Sequence, residues 1–219
     1  MICIMCALDV EYNNIKKYFN ICKEIKKDEF CQIAECNNKQ VIIVKSGIGK
    51  SLAYKYSKYI IEKYGHKTLF LSAGIAGAIA PELNIGDVVI SNIIVDCIKS
   101  EIVNEYSFNK NIIGYFSGLK NGSNINLHIG KVICNDEIIN NNHIKQNLYT
   151  KSQALCVEME STGVAQNCSE GNIPFAAFKI ISDLADGKAV LSMLRTQHKV
   201  TDKLGLFLSK YIILLQELI

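Results

Sequence analysis

The feature that most constrains this chain is a series of short, largely apolar runs, at residues 2–7, 40–45, 68–72, 86–96 and 175–181, separated by stretches of helical length. A strand that is apolar on both faces must be covered on both faces. Parallel sheets flanked by helices are the common solution, because each crossover helix packs back onto the sheet. The predicted order opens with a strand at residues 2–7 and a helix from Asp9, its N-cap, through Phe19, with Val10, Ile15 and Tyr18 as its buried stripe. Strands at 30–35 and 40–45 follow, joined by a turn at Cys36-Asn37-Asn38-Lys39. A helix over residues 50–64 then stops at Gly65, before the strand at 68–72.

Gly86-Asp87 opens a long strand to residue 96, and the polar, Asn-rich section to about residue 126 reads as an insert or lid. The second half repeats the rhythm, with a strand at 128–134 and a helix at 136–149, then a strand at 154–157 and a helix to 168. A last strand at 175–181 precedes an amphipathic helix over 191–218. With 219 residues and 49% hydrophobic content, the chain supplies one core. The expected fold is therefore α/β: a single domain over residues 1–219, with a mixed, mostly parallel central sheet flanked by helices on both faces.

Charge and cysteine usage exclude several function classes. The formal net charge is +3, and the lysines are spread along the chain rather than gathered into a patch, which argues against a nucleic acid partner. The longest uncharged stretch, residues 68–81, is too short to span a membrane and carries Gly74, Gly77 and Pro81. Residues 1–11 read as a first strand rather than a secretory signal. Nine cysteines, an odd number scattered through apolar segments, read as reduced thiols of a cytoplasmic protein. Cys3 and Cys6 have C-x-x-C spacing but lie three apart on a strand, so they point to opposite faces and suit burial better than zinc.

In sheets of this kind ligands bind beyond the carboxyl ends of the strands. Four polar segments fall there: Glu11, Gly74-Ile75-Ala76-Gly77, Glu158-Met159-Glu160 and Ser182-Asp183. Each also has a bland explanation. Glu11 suits a first helical turn, Asp183 a cap, Glu158 and Glu160 the start of a solvated helix, and the glycines close packing of strand on helix.

Together these segments resemble the nucleoside phosphorylase/nucleosidase superfamily, and within it the 5′-methylthioadenosine/S-adenosylhomocysteine nucleosidases. The likeness rests on Ala7-Leu8-Asp9-Val10-Glu11, Lys45-Ser46-Gly47-Ile48-Gly49-Lys50 and Gly74-Ile75-Ala76-Gly77 with Ala80-Pro81 and Gly86-Asp87-Val88-Val89. It continues through Val157-Glu158-Met159-Glu160-Ser161-Thr162 and Ile181-Ser182-Asp183-Leu184-Ala185-Asp186, in the family's order over nearly the whole chain. The resemblance implies that Glu11 activates the attacking water, Glu160 holds the ribose hydroxyls and Asp183, with a raised pKa, protonates N7 of the departing adenine. Met159 would pack on the ribose. Ile48, Ile75, Ala76, Gly77, Glu158 and Ser182 would line the substrate site, and Ile138 and Ile139 would sandwich the base where the family carries an aromatic residue. The family also implies a homodimer binding a small purine nucleoside, without metal or organic cofactor. Residues 68–90 are apolar enough for a subunit interface, or equally for core.

A phosphorylase would use phosphate as nucleophile, and arginine is the side chain best shaped to grip it. Arg195 is the sole arginine, far down the chain, which favours water; Lys45, Lys50 and the backbone around residues 47–49 keep phosphorolysis open. A P-loop suggested by Gly49-Lys50-Ser51 lacks its earlier glycine, because Val44 stands there. A catalytically inert sensor of the same fold is disfavoured by retention of the three carboxylates.

Overall fold

A computed structural model describes residues 1–37, 40–65, 67–108, 110–119, 125–212 and 215. The first half comprises β1 (Ile2–Cys6), α1 (Asp9–Lys16), β2 (Ile21–Lys26), β3 (Gln32–Cys36), β4 (Val41–Lys45), α2 (Lys50–Tyr64) and β5 (Leu69–Ala78). Then come β6 (Val88–Ser91), β7 (Ile93–Ile98), β8 (Glu101–Ser107), α3 (Asn111–Leu119), β9 (Leu127–Ile129) and β10 (Val132–Cys134). The chain continues through α4 (Asn142–Ser152), β11 (Cys156–Glu158), α5 (Ser161–Glu170), β12 (Phe175–Asp183) and α6 (Ala189–Tyr211).

All the described strands join one sheet in the order β2-β3-β4-β1-β5-β11-β10-β7-β8, with β12, β6 and β9 branching from β5. Its spine is β5. The first half of β5 pairs with β1, its last residues pair antiparallel with β11, and its other edge carries β12 in parallel. Six of the eleven pairings are parallel, so the sheet is mixed with a parallel majority.

The alternation of side chains along the strands builds two large cores, and a smaller cluster around Val95, Ile133, Leu148 and Val157 joins them. Ile2, Ile4 and Cys6 of β1 face the layer made by α1 and α6, with Tyr12, Ile15, Leu204 and Phe207. Cys3 and Met5 face the opposite layer of α2 and α5, with Ala53, Tyr56, Ile60, Val164 and Ala165. Cys3 and Cys6 therefore do point apart as their spacing predicts, and all nine cysteines are free thiols. Full burial of each such aliphatic side chain contributes about 1.5–3 kcal/mol before entropy is counted.

Several boundaries differ from expectation for physical reasons. Leu8, not Asp9, is the N-cap of α1, and the helix ends at Lys16; its buried residues are Glu11, Tyr12 and Ile15 rather than Val10, Ile15 and Tyr18. The exposed edge strand β2 lacks any apolar alternation and was not expected, and β3 is displaced to Gln32–Cys36. Of the predicted turn after it, Asn38 and Lys39 lie outside the described residues. The run 86–96 divides into β6 and β7 at Asn92, whose side chain donates to the Phe108 carbonyl at 2.6 Å, and 128–134 likewise divides into β9 and β10. The helix expected at 136–149 begins only at Asn142, because Asn141 caps it by accepting from His143 N and Ile144 N. The section to residue 126 contains the end of β7 and the whole of β8 and α3, with residues 109 and 120–124 outside the description. The end predicted for the last helix, residue 218, is also outside it. Within 68–90, β5 and β6 are interior strands that belong to the core, whereas the connection between them exposes Ile85. Among the described residues no helix is long and apolar enough to cross a membrane.

Candidate active site

The turn from β1 into α1 sends Glu11 inward, against Gly74 and Ile75 in the middle of β5, where it is 2% exposed. Its Oε2 accepts from the backbone N–H groups of Ala7 at 2.8 Å and Leu8 at 2.9 Å, and its Oε1 accepts from Ile75 N at 2.8 Å. Burial raises its pKa, overcoming the opposing pull of these N–H groups and of Lys179. Gly74 makes the approach possible: a Cβ there would stand 2.9 Å from the Glu11 carboxyl carbon and 3.3 Å from Oε2.

The second carboxylate group lies where β11 passes into α5. Glu160 is the N-cap residue of α5, and its Oε1 accepts from Gly49 N at 2.9 Å, which ties the loop before α2 to the site. Burial and then the neighbouring Glu158 charge push its pKa up to about 8. Glu158 is engaged otherwise. Its oxygens accept from Glu160 N and Ser161 N, each at 3.1 Å, and Oε2 pairs with the Lys179 ammonium at 2.8 Å. The pKa of Glu158 is held down, the Lys179 charge leading the causes that overcome its burial. Glu158 thus lines the cavity while its carboxylate is engaged by Lys179 and by two backbone N–H groups.

The third carboxylate ends β12. Opposite β5 the register shifts between Ile181 and Asp183, so that one extra residue, Ser182, is inserted, and such a bulge re-aims the following side chain. Asp183 Oδ2 accepts from Ser182 Oγ at 2.8 Å and Oδ1 from Ala185 N at 2.9 Å. Burial raises its pKa despite those two donors. Gly77 gives it room, since a Cβ there would lie 2.8 Å from Asp183 Oδ1. Both glycines of the Gly74-to-Gly77 segment are spaces for acidic side chains rather than only strand–helix packing.

These groups surround a cavity of about 150 Å³. Its lining contains Glu11, Ile48, Ile75, Ala76, Gly77, Ile138, Ile139, Glu158, Met159, Glu160, Ser182 and Asp183, which is every site residue expected from the sequence. Ala7, Leu8, Glu137, Val157 and Met193 line it as well and were missed. Ala7, Leu8 and Val157 belong to the motifs themselves and Glu137 adjoins Ile138; Met193 is on α6, outside every motif, and carried no signal. Ile48 and Ile138 are half-exposed at the mouth, whereas Ile139 is buried. A second, water-sized chamber of about 10 Å³ shares Glu11 and Glu160 with the cavity and is also lined by Ser46, Ser72, Gly74 and Lys179. Lys179 was missed because it lies inside an apolar strand run, where only the fold reveals its partners.

The cations considered for phosphate are occupied. Lys45 pairs with Asp9 at 2.6 Å, and Lys50 pairs with Asp96 at 2.7 Å and donates to the Cys97 carbonyl at 2.5 Å. Arg195 is exposed on α6 and does not line the cavity. Among the described residues, no group of three or more His, Cys, Asp or Glu side chains is placed to hold a metal ion.

Comparison with known proteins gives a consistent result. The sequence model of the phosphorylase superfamily matches residues 1–213. A 5′-methylthioadenosine/S-adenosylhomocysteine nucleosidase of Staphylococcus haemolyticus is 34% identical over 171 residues, covering 71% of this chain and 74% of the relative. The Staphylococcus epidermidis protein of the same name is 28% identical over 231 residues, covering 99% of both chains. Among solved structures, a mutant of the Helicobacter pylori nucleosidase with 5′-methylthioadenosine in its active site superposes with a TM-score of 0.86 at 24% identity, covering 96% of this chain and 97% of that one. Futalosine hydrolase of Helicobacter pylori superposes with a TM-score of 0.83 at 24% identity, covering 94% of each chain.

Proposed function

The chain belongs to the phosphorylase superfamily and, within it, to the 5′-methylthioadenosine/S-adenosylhomocysteine nucleosidases, and on that premise we propose how its cavity hydrolyses the N-glycosidic bond of such an adenine nucleoside. The observation that carries the proposal is the convergence of Glu11, Glu160 and Asp183, from the ends of three different strands, on one cavity. As the C1′–N9 bond breaks, its electron pair moves onto adenine and positive charge develops on the sugar. Asp183, whose raised pKa favours the protonated form, donates that proton to N7, so adenine departs neutral. Glu160 accepts from the ribose hydroxyls and stabilises the oxocarbenium-like sugar more than the ground state. Glu11 takes a proton from water as the water oxygen bonds to C1′.

Met159 packs on the ribose, Ile138 and Ile139 flank the base, and Ile48, Ile75, Ala76, Gly77 and Ser182 complete the binding surface. Water is favoured over phosphate because Lys45, Lys50 and the Gly49 N–H are all engaged within the protein, and Arg195 does not line the cavity. The adjoining chamber fits a single water. The purified chain is expected to release adenine from 5′-methylthioadenosine in phosphate-free buffer. Turnover that requires added phosphate would establish phosphorolysis instead.

We also infer a homodimer without cofactor in the cytoplasm. The nine free thiols suit a reducing compartment, and Ile98, Ile102 and Val103 expose apolar surface around the hairpin of β7 and β8. Light scattering on the purified chain tests the assembly; a monomer mass would refute it.

A further inference from the structure

Lys179 is the feature that this mechanism leaves unexplained. It sits in the middle of β12 with 2% exposure, and a buried ammonium is costly unless its donors are satisfied and its charge is compensated. Its Nζ donates to Ser72 Oγ of β5 at 2.9 Å and pairs with Glu158 Oε2 at 2.8 Å. Ser72 Oγ also accepts from Ser161 Oγ at 2.9 Å, so one ammonium ties β12, β5 and the junction of β11 with α5. Lys179 also lines the water-sized chamber together with Glu11 and Glu160. Three acidic side chains therefore share one buried cation.

Resting on the hydrolase mechanism above, we propose that Lys179 is a positioning residue for the reaction, which neutralises Glu158 and so enlarges the fraction of Glu160 that carries a negative charge opposite the developing sugar cation. Glu158 and Glu160 are two residues apart, and the Glu160 N–H is itself held by Glu158. An uncompensated charge on Glu158 would oppose ionisation of Glu160 from close range, in surroundings that screen it poorly. The groups facing the ammonium are the Glu158, Glu160 and Glu11 carboxyls and the Cys6 and Cys156 thiols. Of the influences on Glu160 beyond burial, Glu158 raises its pKa most and Lys179 is the next, lowering it.

The test compares the wild-type chain with Lys179→Met, Lys179→Arg and the double variant Lys179→Met/Glu158→Gln. Two readouts are used: the pH profile of kcat/KM for adenine release from 5′-methylthioadenosine, and ¹³C NMR titration of glutamate carboxyl carbons. In Lys179→Met the carboxyl that titrates highest, and with it the ascending limb of the profile, is expected to move up by about one pH unit or more, with roughly a tenfold loss of kcat/KM at pH 7. Lys179→Arg should restore the limb. The double variant removes the ion pair as a whole, so its limb should return toward that of the wild type. This variant also carries the test if the unpaired Glu158 prevents Lys179→Met from folding.

A uniform loss across pH with an unmoved carboxyl titration in Lys179→Met, or a double-variant limb displaced as far as that expected of Lys179→Met, would overturn the role of Lys179. Those outcomes leave hydrolysis by the wild-type chain standing. A wild-type chain that releases no adenine would overturn both.

Discussion

Replacement of Gly74 by alanine tests the catalytic geometry without touching a charged residue. The new methyl carbon would begin 2.9 Å from the Glu11 carboxyl carbon, whereas carbon atoms settle at about 3.5–4.0 Å, so the carboxylate must retreat by about 1 Å. Retreat breaks the Ile75 N–H bond to Oε1, now 2.8 Å, and a hydrogen bond to a charged group is worth about 1.5–3 kcal/mol. A displacement of about 1 Å in a catalytic group costs on the order of 10²-fold in rate, equivalent to roughly 2.7 kcal/mol of barrier. Gly74 does not adopt a positive φ, so alanine imposes no backbone strain. The expected result is a loss of about two orders of magnitude in kcat with KM little changed and a cooperative thermal melt retained. Gly187→Ala is the control, since nothing lies within 4 Å of the Cβ it would add. Activity of Gly74→Ala within threefold of wild type would refute the placement of Glu11 as the group that activates water.

Three further outcomes follow from the same geometry. Asp183→Asn removes the proton donor of the proposed mechanism and should reduce kcat for adenine release by about 10²–10⁴-fold, measured by an adenine-coupled assay. Gly77→Ala should disturb the acid, because its methyl would press on Asp183 Oδ1 at 2.8 Å; adenine derivatives with an activated leaving base should suffer less than 5′-methylthioadenosine. Burial and the Glu158 charge push the Glu160 pKa up to about 8, above its unfolded value of 4.5, so the stability linked to its protonation is complete below 4.5 and declines as pH rises toward 8. Full linkage would be on the order of 5 kcal/mol, reduced to ~2 by solvent reaching the partly exposed side chain. Denaturant titrations from pH 5 to 8 should show this decline in the wild type and a flatter profile in Glu160→Gln; parallel slopes would exclude the shift.

Much of the site was legible because its residues sit in short local motifs at strand ends. Glu11, Glu160 and Asp183 each follow an apolar run, and the topology of such a sheet brings those ends together. Glu158 was readable as a site residue but not in its role, since its carboxylate is consumed by Ser161, Glu160 and a lysine over twenty residues away. Lys179 and Met193 had no local signature at all. The strand β2 was invisible because, exposed along nearly its whole length, it has no apolar face to give a period.

The amino-acid sequence by itself determined the layering of this protein. Hydrophobic period decides whether a segment is buried on one face or two, and that is a local property of the chain. It also determined which acidic residues stand at strand ends. Tertiary structure alone decided which of them remain available for chemistry, because that depends on partners distant along the chain. The Gly49 and Ile75 N–H groups orient Glu160 and Glu11, while Lys179 consumes Glu158. Charge and hydrogen bonding act through space over a few ångströms, and only folding sets those distances.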